Sequence, residues 1–100
     1  MTEYEALLRI MGEDSPPLPV LIDLSEDRVV IEAGGEQIAD WDRHEVRVSA
    51  LPDGFHVRAE GEEIILDVTE DAKFALDIGL RNAHPQLRKR MSALLRENPY

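Results

Sequence analysis

Apolar residues alternate with polar ones along most of the chain, and this alternation most constrains what the chain can fold into. Between Val20 and Val68 a period of two recurs in short runs, which is typical of strands that bury one face. A weaker run covers Ile38 to Trp41, so the sequence predicts about six strands. The buried positions of the five clearer runs are Val20, Ile22 and Leu24; Val29, Ile31 and Ala33; Val46, Val48 and Ala50; Phe55, Val57 and Ala59; and Ile64, Leu66 and Val68.

Short turn sequences separate these runs. Gly, Asp and Pro supply the backbone angles that tight turns need. Connections this short force neighbouring strands to be antiparallel. The predicted turns are Ser25-Glu26-Asp27, Gly34-Gly35, Asp40-Trp41-Asp42, Pro52-Asp53-Gly54 and Glu60-Gly61.

The N-terminal segment, residues 1–12, shows helical spacing instead. Thr2 and Glu5 have the spacing of a capping box, and Gly12 with the following prolines ends the pattern. We therefore predict a helix at about residues 3–11. Its apolar stripe would be Tyr4, Leu7, Leu8 and Met11.

After Val68 the helical period returns twice. Thr69 is a candidate N-cap for a first helix that buries Phe74 and Ile78. Pro85 suits the first turn of a second helix, which we place at residues 85–98. The second helix is amphipathic, with Leu87, Met91, Leu94 and Leu95 on one side and Arg88, Lys89 and Arg96 on the other.

One hundred residues are enough for a single domain with one core. No apolar run is long enough to span a bilayer, and the acidic N-terminus argues against a signal peptide. The chain has no cysteine, which fits a reducing compartment. We therefore expect a cytoplasmic protein without integral membrane contact.

Charge is distributed unevenly along the chain. Residues 1–80 carry a net charge of −14, whereas residues 81–100 carry +4. The net charge of residues 1–80 repels nucleic acid and anionic lipid. We therefore expect no nucleic-acid partner. Weak peripheral membrane contact through the basic tail stays open, because each basic residue adds about 1 kcal/mol near an anionic surface.

The order of elements over residues 18–80 resembles the pleckstrin-homology-like superfold, especially its bacterial and GRAM-type members. The resemblance implies seven strands, the seventh lying in the Gln37–Arg43 stretch or near Leu18, and binding of partner proteins, peptides or phosphoinositides without catalysis. Lipid-binding members use a basic first hairpin turn. Here that turn, Ser25-Glu26-Asp27-Arg28, is net acidic, so the phosphoinositide role is not carried over. The segments that carry the resemblance are Val20 to Leu24, Arg28 to Ala33, Ile38-Ala39-Asp40-Trp41, Glu45-Val46-Arg47-Val48, Gly54-Phe55-His56-Val57, Glu62 to Leu66 and Asp71 to Ala75.

Chemical motifs give little support for an enzyme. The Glu60, Glu62 and Glu63 group is best explained as a solvated turn, because paired catalytic carboxylates need unequal burial. Asp40 and Asp42 lack the ligand spacing of a calcium loop. His44 and His56, predicted on neighbouring strands, would need a third ligand to hold zinc. We therefore predict no catalytic, cofactor or metal site.

These observations predict an α+β fold: a bent antiparallel sheet or small barrel of six or seven strands, capped by a helix, with short N- and C-terminal helices. The function that fits best is a non-catalytic protein-interaction or adaptor module, with a protein partner or a second copy meeting a sheet edge or the C-terminal helix. Partner contacts are expected at Trp41, Arg88, Lys89, Arg90, Tyr4 and Leu8, with Leu7 and Met11 on the same predicted stripe.

Alternatives stay open. The basic C-terminal helix either packs on its own acidic domain or docks on a partner, and charge complementarity favours both equally. The second function is binding of a small ligand or anionic lipid by the barrel mouth and the basic helix. A third, which follows only from the acidic body, is a mimic of nucleic acid that would lose binding when Glu60, Glu62 and Glu63 become Gln.

Overall fold

Seven antiparallel strands curl into a half-barrel, and two helices follow them in the chain. The structure, a computed structural model, describes residues 2–80 and 85–97. The fold is therefore α+β, as predicted. The strands are β1 (Thr2–Ile10), β2 (Leu18–Leu24), β3 (Arg28–Ala33), β4 (Glu36–Asp42), β5 (Arg47–Leu51), β6 (Gly54–Ala59) and β7 (Glu62–Val68); the helices are α1 (Asp71–Ile78) and α2 (Pro85–Glu97).

The N-terminal segment is a strand, so the predicted helix at residues 3–11 is wrong. β1 lies at the centre of the sheet, whose order is β4-β3-β2-β1-β7-β6-β5. It pairs Tyr4 with Ile22 of β2 and Leu8 with Leu66 of β7. Pairing with β2 and β7 thus overrides the local helical spacing of this segment. The seventh strand is β1, and not a strand near Leu18 or in residues 37–43 as the resemblance implied.

The core fills the concave side of the half-barrel. Alternate residues of β2, β3 and β6 are the buried ones, which confirms the period-two pattern in these strands. At its centre Phe74 of α1, 1% exposed, meets Tyr4 and Phe55 edge to face, with ring centroids 5.3 and 4.9 Å apart. The first helix is therefore held by aromatic contacts with β1 and β6.

Both helices start close to their predicted positions. α1 begins one residue later than expected, so Glu70 occupies the N-cap position that the sequence assigned to Thr69, without a side-chain cap hydrogen bond. α2 begins at Pro85 and buries Leu87 and Met91. Arg90 also forms an ion pair with Asp71 at the start of α1. Within the described residues, α2 thus packs on its own chain.

A polar network ties α1 to the sheet at one end of the half-barrel. The Tyr4 hydroxyl donates a hydrogen bond of 2.8 Å to Oδ2 of Asp77. Arg43, in a short 3₁₀ turn between β4 and β5, donates to the main-chain oxygens of Asp77 and, at 2.7 Å, of Ser25. One guanidinium therefore joins α1, the β2–β3 turn and the β4–β5 connection.

Most predicted turns are confirmed between the strands. One differs: β4 continues through Trp41 to Asp42, and the chain turns only at Arg43–Glu45. The Asp42 carboxylate then caps that 3₁₀ turn by accepting a hydrogen bond of 2.9 Å from the His44 amide. Across the described ranges, no helix is long and apolar enough to cross a membrane.

Candidate functional site

The surface of the protein carries a groove of about 470 Å³. It lies between the end of β1, the edge strand β4 and the hairpin that joins β6 to β7. Its volume falls within the range of ordinary ligand sites. We call this site the groove; its lining consists of Leu8, Ile10, Met11, Glu13, Ile31, Ile38, Ala39, Trp41, Gly61, Glu62, Glu63 and Ile64.

Buried side chains form the floor of the groove and exposed ones form its walls. Ile31 and Trp41 are 0% and 7% exposed, so they are fixed by the core. Ile10, Met11 and Ile38 are 46%, 49% and 47% exposed, although each is large and apolar. Three such side chains around one concavity make an apolar surface that water covers in the unbound protein.

Main-chain hydrogen bonds hold the β1 wall in place. The Met11 amide donates to the main-chain oxygen of Glu63 at 3.2 Å, which extends the β1–β7 pairing beyond the strand. Gly12 then takes a positive φ of 85°, and the Glu13 amide donates to the oxygen of Ile10 at 3.1 Å. This tight turn sets Met11 at the mouth of the groove.

A β-bulge shapes the opposite wall. The β3–β4 register shifts between Ile31 and Glu32: Ile31 pairs with Ala39, whereas Glu32 pairs with Gln37. Ile38 is the extra residue, and it lines the groove. The sequence run was weak here because the bulge interrupts the alternation.

The charged side chains in the lining are all acidic. Glu13 and Glu62 are exposed and Glu63 is half-buried. No lysine or arginine belongs to the lining, whose residues all lie in the described ranges. The groove therefore combines an apolar interior with a negative border.

A second polar cluster surrounds His56 on the outer face of the sheet. Its Nε2 lies 2.9 Å from Oδ1 of Asp53, and its Nδ1 lies 3.3 Å from Oε2 of Glu63. Glu63 also accepts a hydrogen bond of 2.9 Å from Nε of Arg58, and Arg9 donates to the main-chain oxygen of Asp53 at 2.8 Å. The His56 ring faces outward from the sheet, yet its side chain is only 12% exposed because these partners surround it.

These contacts shift the pKa values of His56, Asp53 and Glu63. Hydrogen bonding to Asp53, and then to Glu63, raises the pKa of His56 against the opposing effect of burial. The hydrogen bond to His56 holds the pKa of Asp53 below its usual value. The pKa of Glu63 is lowered by hydrogen bonds to His56 and then Arg58. The cluster is an internal charge network whose three members favour their ionised forms.

The structure brings two of the six predicted partner residues together. Trp41 and Leu8 both line the groove, as part of its buried floor. Tyr4 lies elsewhere in the core, 2% exposed and bonded to Asp77. Tyr4 is therefore not an accessible contact, because the predicted helix that would have exposed it is a strand.

The three predicted basic contacts lie on α2, outside the groove lining. Arg88 and Lys89 are exposed. Arg90 is engaged by Asp71 of its own chain. Arg81 and His84, which also belong to the basic segment or its approach, lie outside the described residues.

Two groove residues escaped the sequence reasoning. Ile10 was outside the predicted apolar stripe of residues 3–11, although in a strand it follows Leu8 on the same face. Ile38 was noted only as the start of a weak run. For both Ile10 and Ile38, the available signal was a large apolar side chain that did not fit the regular pattern next to it.

Metal-ligand geometry is lacking in the described ranges, where no group of three or more His, Asp or Glu side chains converges on a cation position. His44 lies in the 3₁₀ turn and not on a strand, so the predicted neighbouring-strand placement of His44 and His56 is wrong. Glu62 and Glu63 likewise start β7 instead of lying in a loop.

In comparisons with known proteins, no family model and no curated protein matches this chain.

Proposed function

We propose that this chain is a non-catalytic protein-interaction module that receives its partner in the groove. The observation that carries the proposal is the exposure of Ile10, Met11 and Ile38 around a fixed floor that includes Trp41. Exposed apolar side chains that form one contiguous surface are typical of an interaction site.

The composition of the lining favours binding over catalysis. Eight of its twelve residues are large or small apolar side chains, and the polar members are carboxylates at the border. His56, whose pKa is raised, lies on the outer face, with both ring nitrogens engaged by Asp53 and Glu63. No nucleophile and base therefore stand together at the apolar floor in the described structure.

Charge favours a protein over an anionic lipid as the partner. Glu13 and Glu62 would repel a phosphate head group at the border of the groove. The basic residues Arg88 and Lys89 lie on α2, which contributes nothing to the lining. Binding of anionic lipid is therefore the second candidate.

The resemblance to pleckstrin-homology-like domains is part of this proposal. Seven strands, the number usual in that superfold, and a helix after the last strand support it. Members of the superfold bind partner proteins and peptides, which agrees with a non-catalytic role, although fold analogy alone does not assign one.

The test uses a display library of random peptides, selected on the immobilised chain. Trp41 is the only tryptophan, so its fluorescence reports the occupancy of the groove directly. We expect selected peptides to change this fluorescence and to lose at least about tenfold in affinity against Met11→Asp or Ile38→Asp. Both residues are exposed, so the variants should keep the wild-type circular dichroism.

Leu95→Asp is the matched control, because Leu95 is 61% exposed but lies on α2. It should bind the selected peptides as the wild type does. Loss of binding in Leu95→Asp alone would contradict the proposal and move the contact to α2. Failure to select groove-dependent peptides, together with pelleting on phosphatidylserine vesicles, would replace it with lipid binding.

A further inference from the structure

We propose that the segment bound in the groove is an extended strand of a partner protein that pairs with the free edge of β4, alternating apolar with basic side chains. This inference rests on the proposed function. It adds the backbone conformation of the partner and the chemical pattern of its side chains.

β4 presents one edge that no described strand covers. β4 is the last strand of the sheet and pairs only with β3 among the described strands. Its pairing is regular from Ala39 to Asp42, beyond the bulge at Ile38. Alternate residues of an edge strand point their main-chain N–H and C=O groups away from the sheet, where a further strand pairs with them.

The two faces of β4 differ in chemistry: one is apolar and the other carries carboxylates. Ala39 and Trp41 point to the concave side and line the groove. Asp40 and Asp42 point to the outer face, where they pair across the sheet with Val30 and Arg28. Side chains of an added strand lie beside those of β4 on the same face. Apolar residues would therefore enter the groove, while the residues between them would lie beside two carboxylates.

Carboxylates around the groove and along β4 favour a basic partner segment. Glu62 is exposed on the border, and Glu13 lies at the end of the β1 wall. Asp40 already holds Arg28, at 2.8 Å, which shows that this edge accommodates a guanidinium on its outer face. Lysine or arginine at the outward-facing positions of the partner would lie beside Asp40 and Asp42. A basic residue at an end of the partner segment would meet Glu62 or Glu13 at the border of the groove.

The same charges select between possible occupants. Two copies of β4 pairing with each other would place Asp40 and Asp42 of one copy beside those of the other, and like charges in such positions are destabilising. The opposite edge, β5, presents Arg47, Ser49 and Leu51 on its outer face, so a basic strand finds no carboxylate there. A basic partner segment therefore fits β4 better than a second copy does, and better than β5.

The experiment starts from peptides selected on the chain from the random library. We expect their sequences to alternate apolar residues with Lys or Arg over about four to six positions. Chemical synthesis then gives each peptide in two forms, N-methylated at the odd or at the even residues. One form should lose at least about tenfold in affinity and the other should bind nearly as the parent, because only alternate amides face β4.

Two measurements on the protein complete the test. Binding should slow hydrogen exchange at main-chain amides within Ala39–Asp42. Glu62→Gln should weaken binding by about threefold to tenfold at low salt. Glu26→Gln, an exposed change in the β2–β3 turn, is the control and should leave affinity unchanged.

Different outcomes separate this inference from the proposed function. Groove-dependent peptides that bind equally well in both N-methylated forms, or that carry acids instead of bases, would overturn the strand-pairing inference and leave the interaction role standing. If no selected peptide depends on Met11 and Ile38, both the inference and the proposed function fall.

Discussion

Nε2 of His56 lies 2.9 Å from Oδ1 of Asp53, while Nδ1 of the same ring lies 3.3 Å from Oε2 of Glu63. A neutral imidazole has only one N–H and cannot donate to both carboxylates, whereas the protonated ring can. The cluster is thus complete only with a charged histidine between two ionised acids. This requirement makes part of the folding stability depend on pH.

We expect the contribution of this cluster to be largest between about pH 4.5 and pH 6.5. The pKa of His56 is raised on folding, so its contribution is fully present below the ordinary value of 6.5 and is lost as pH rises through the raised pKa. The pKa values of Asp53 and Glu63 are lowered, so theirs are present above the ordinary values and are lost as pH falls through the lowered pKa values.

Urea unfolding of His56→Gln at about pH 5.5 and about pH 9 tests this expectation. The free energy of unfolding should fall further below that of the wild type at the lower pH. His44→Gln is the control, because His44 is exposed in the 3₁₀ turn, and its difference from the wild type should not follow this pattern. An equal loss for His56→Gln at both pH values would contradict a charged histidine.

Tyr4→Phe should lower the free energy of unfolding by about 1 to 2 kcal/mol. The phenyl ring keeps its packing against Phe74, but the hydrogen bond of 2.8 Å to Asp77 is lost. Burial, followed by the hydrogen bond to Asp77, raises the pKa of Tyr4, which therefore acts as a neutral donor. A double-mutant cycle with Asp77→Ala measures the coupling, and additive effects would show that the bond adds no stability.

Gly54→Ala should destabilise the fold by about 2 kcal/mol or more. Gly54 has a φ of 134°, and an added Cβ would lie 2.8 Å from the main-chain oxygen of Leu66. Gly34→Ala provides the comparison, since its φ is also positive but nothing lies within 4 Å of the added carbon. Thermal unfolding should rank Gly34→Ala as the milder change, by about 1 kcal/mol, and the reverse order would contradict the close approach.

Leu87→Ala should cost about 3 kcal/mol, and Leu95→Ala should change stability by less than about 0.5 kcal/mol. Leu87 is 2% exposed and Leu95 is 61% exposed on the same helix. Chemical denaturation tests whether α2 packs on its own domain or is available to a partner, the two alternatives that the charge distribution left open. A small effect of Leu87→Ala would mean that the helix is detached in solution and available to a partner.

Sequence patterns predicted the elements whose periodicity is local. The strands from Val20 to Val68 and the helix that starts at Pro85 follow from spacing and turn chemistry, because those signals lie within a few residues of each other. β1 is different: Tyr4 and Leu8 satisfy both a helical and a strand pattern, and exposed Leu7 interrupts the alternation. Only the pairing of β1 with β2 and β7 selects the strand over the helix, and a local sequence pattern does not show this pairing.

The groove was harder to predict than the fold. Trp41, which the sequence singled out as a partner contact, lies in the groove lining, but Ile38 enters the lining only because a bulge shifts the β3–β4 register. Met11 reaches it through a hydrogen bond to Glu63, more than fifty residues away in the chain. The site is made by register and curvature, which depend on contacts that a single sequence does not record.

The central position of β1 has a consequence for how this chain acquires its structure. β1 ends at Ile10, but its second neighbour begins only at Glu62. During synthesis β1 to β4 can pair as they emerge, while the other side of β1 stays open until β7 follows. A nascent chain would thus leave one edge of β1 unpaired for that interval, and unpaired strand edges make such intermediates prone to aggregate. The rate at which β7 pairs with β1, and not the stability of the finished sheet, would then limit the yield of folded protein.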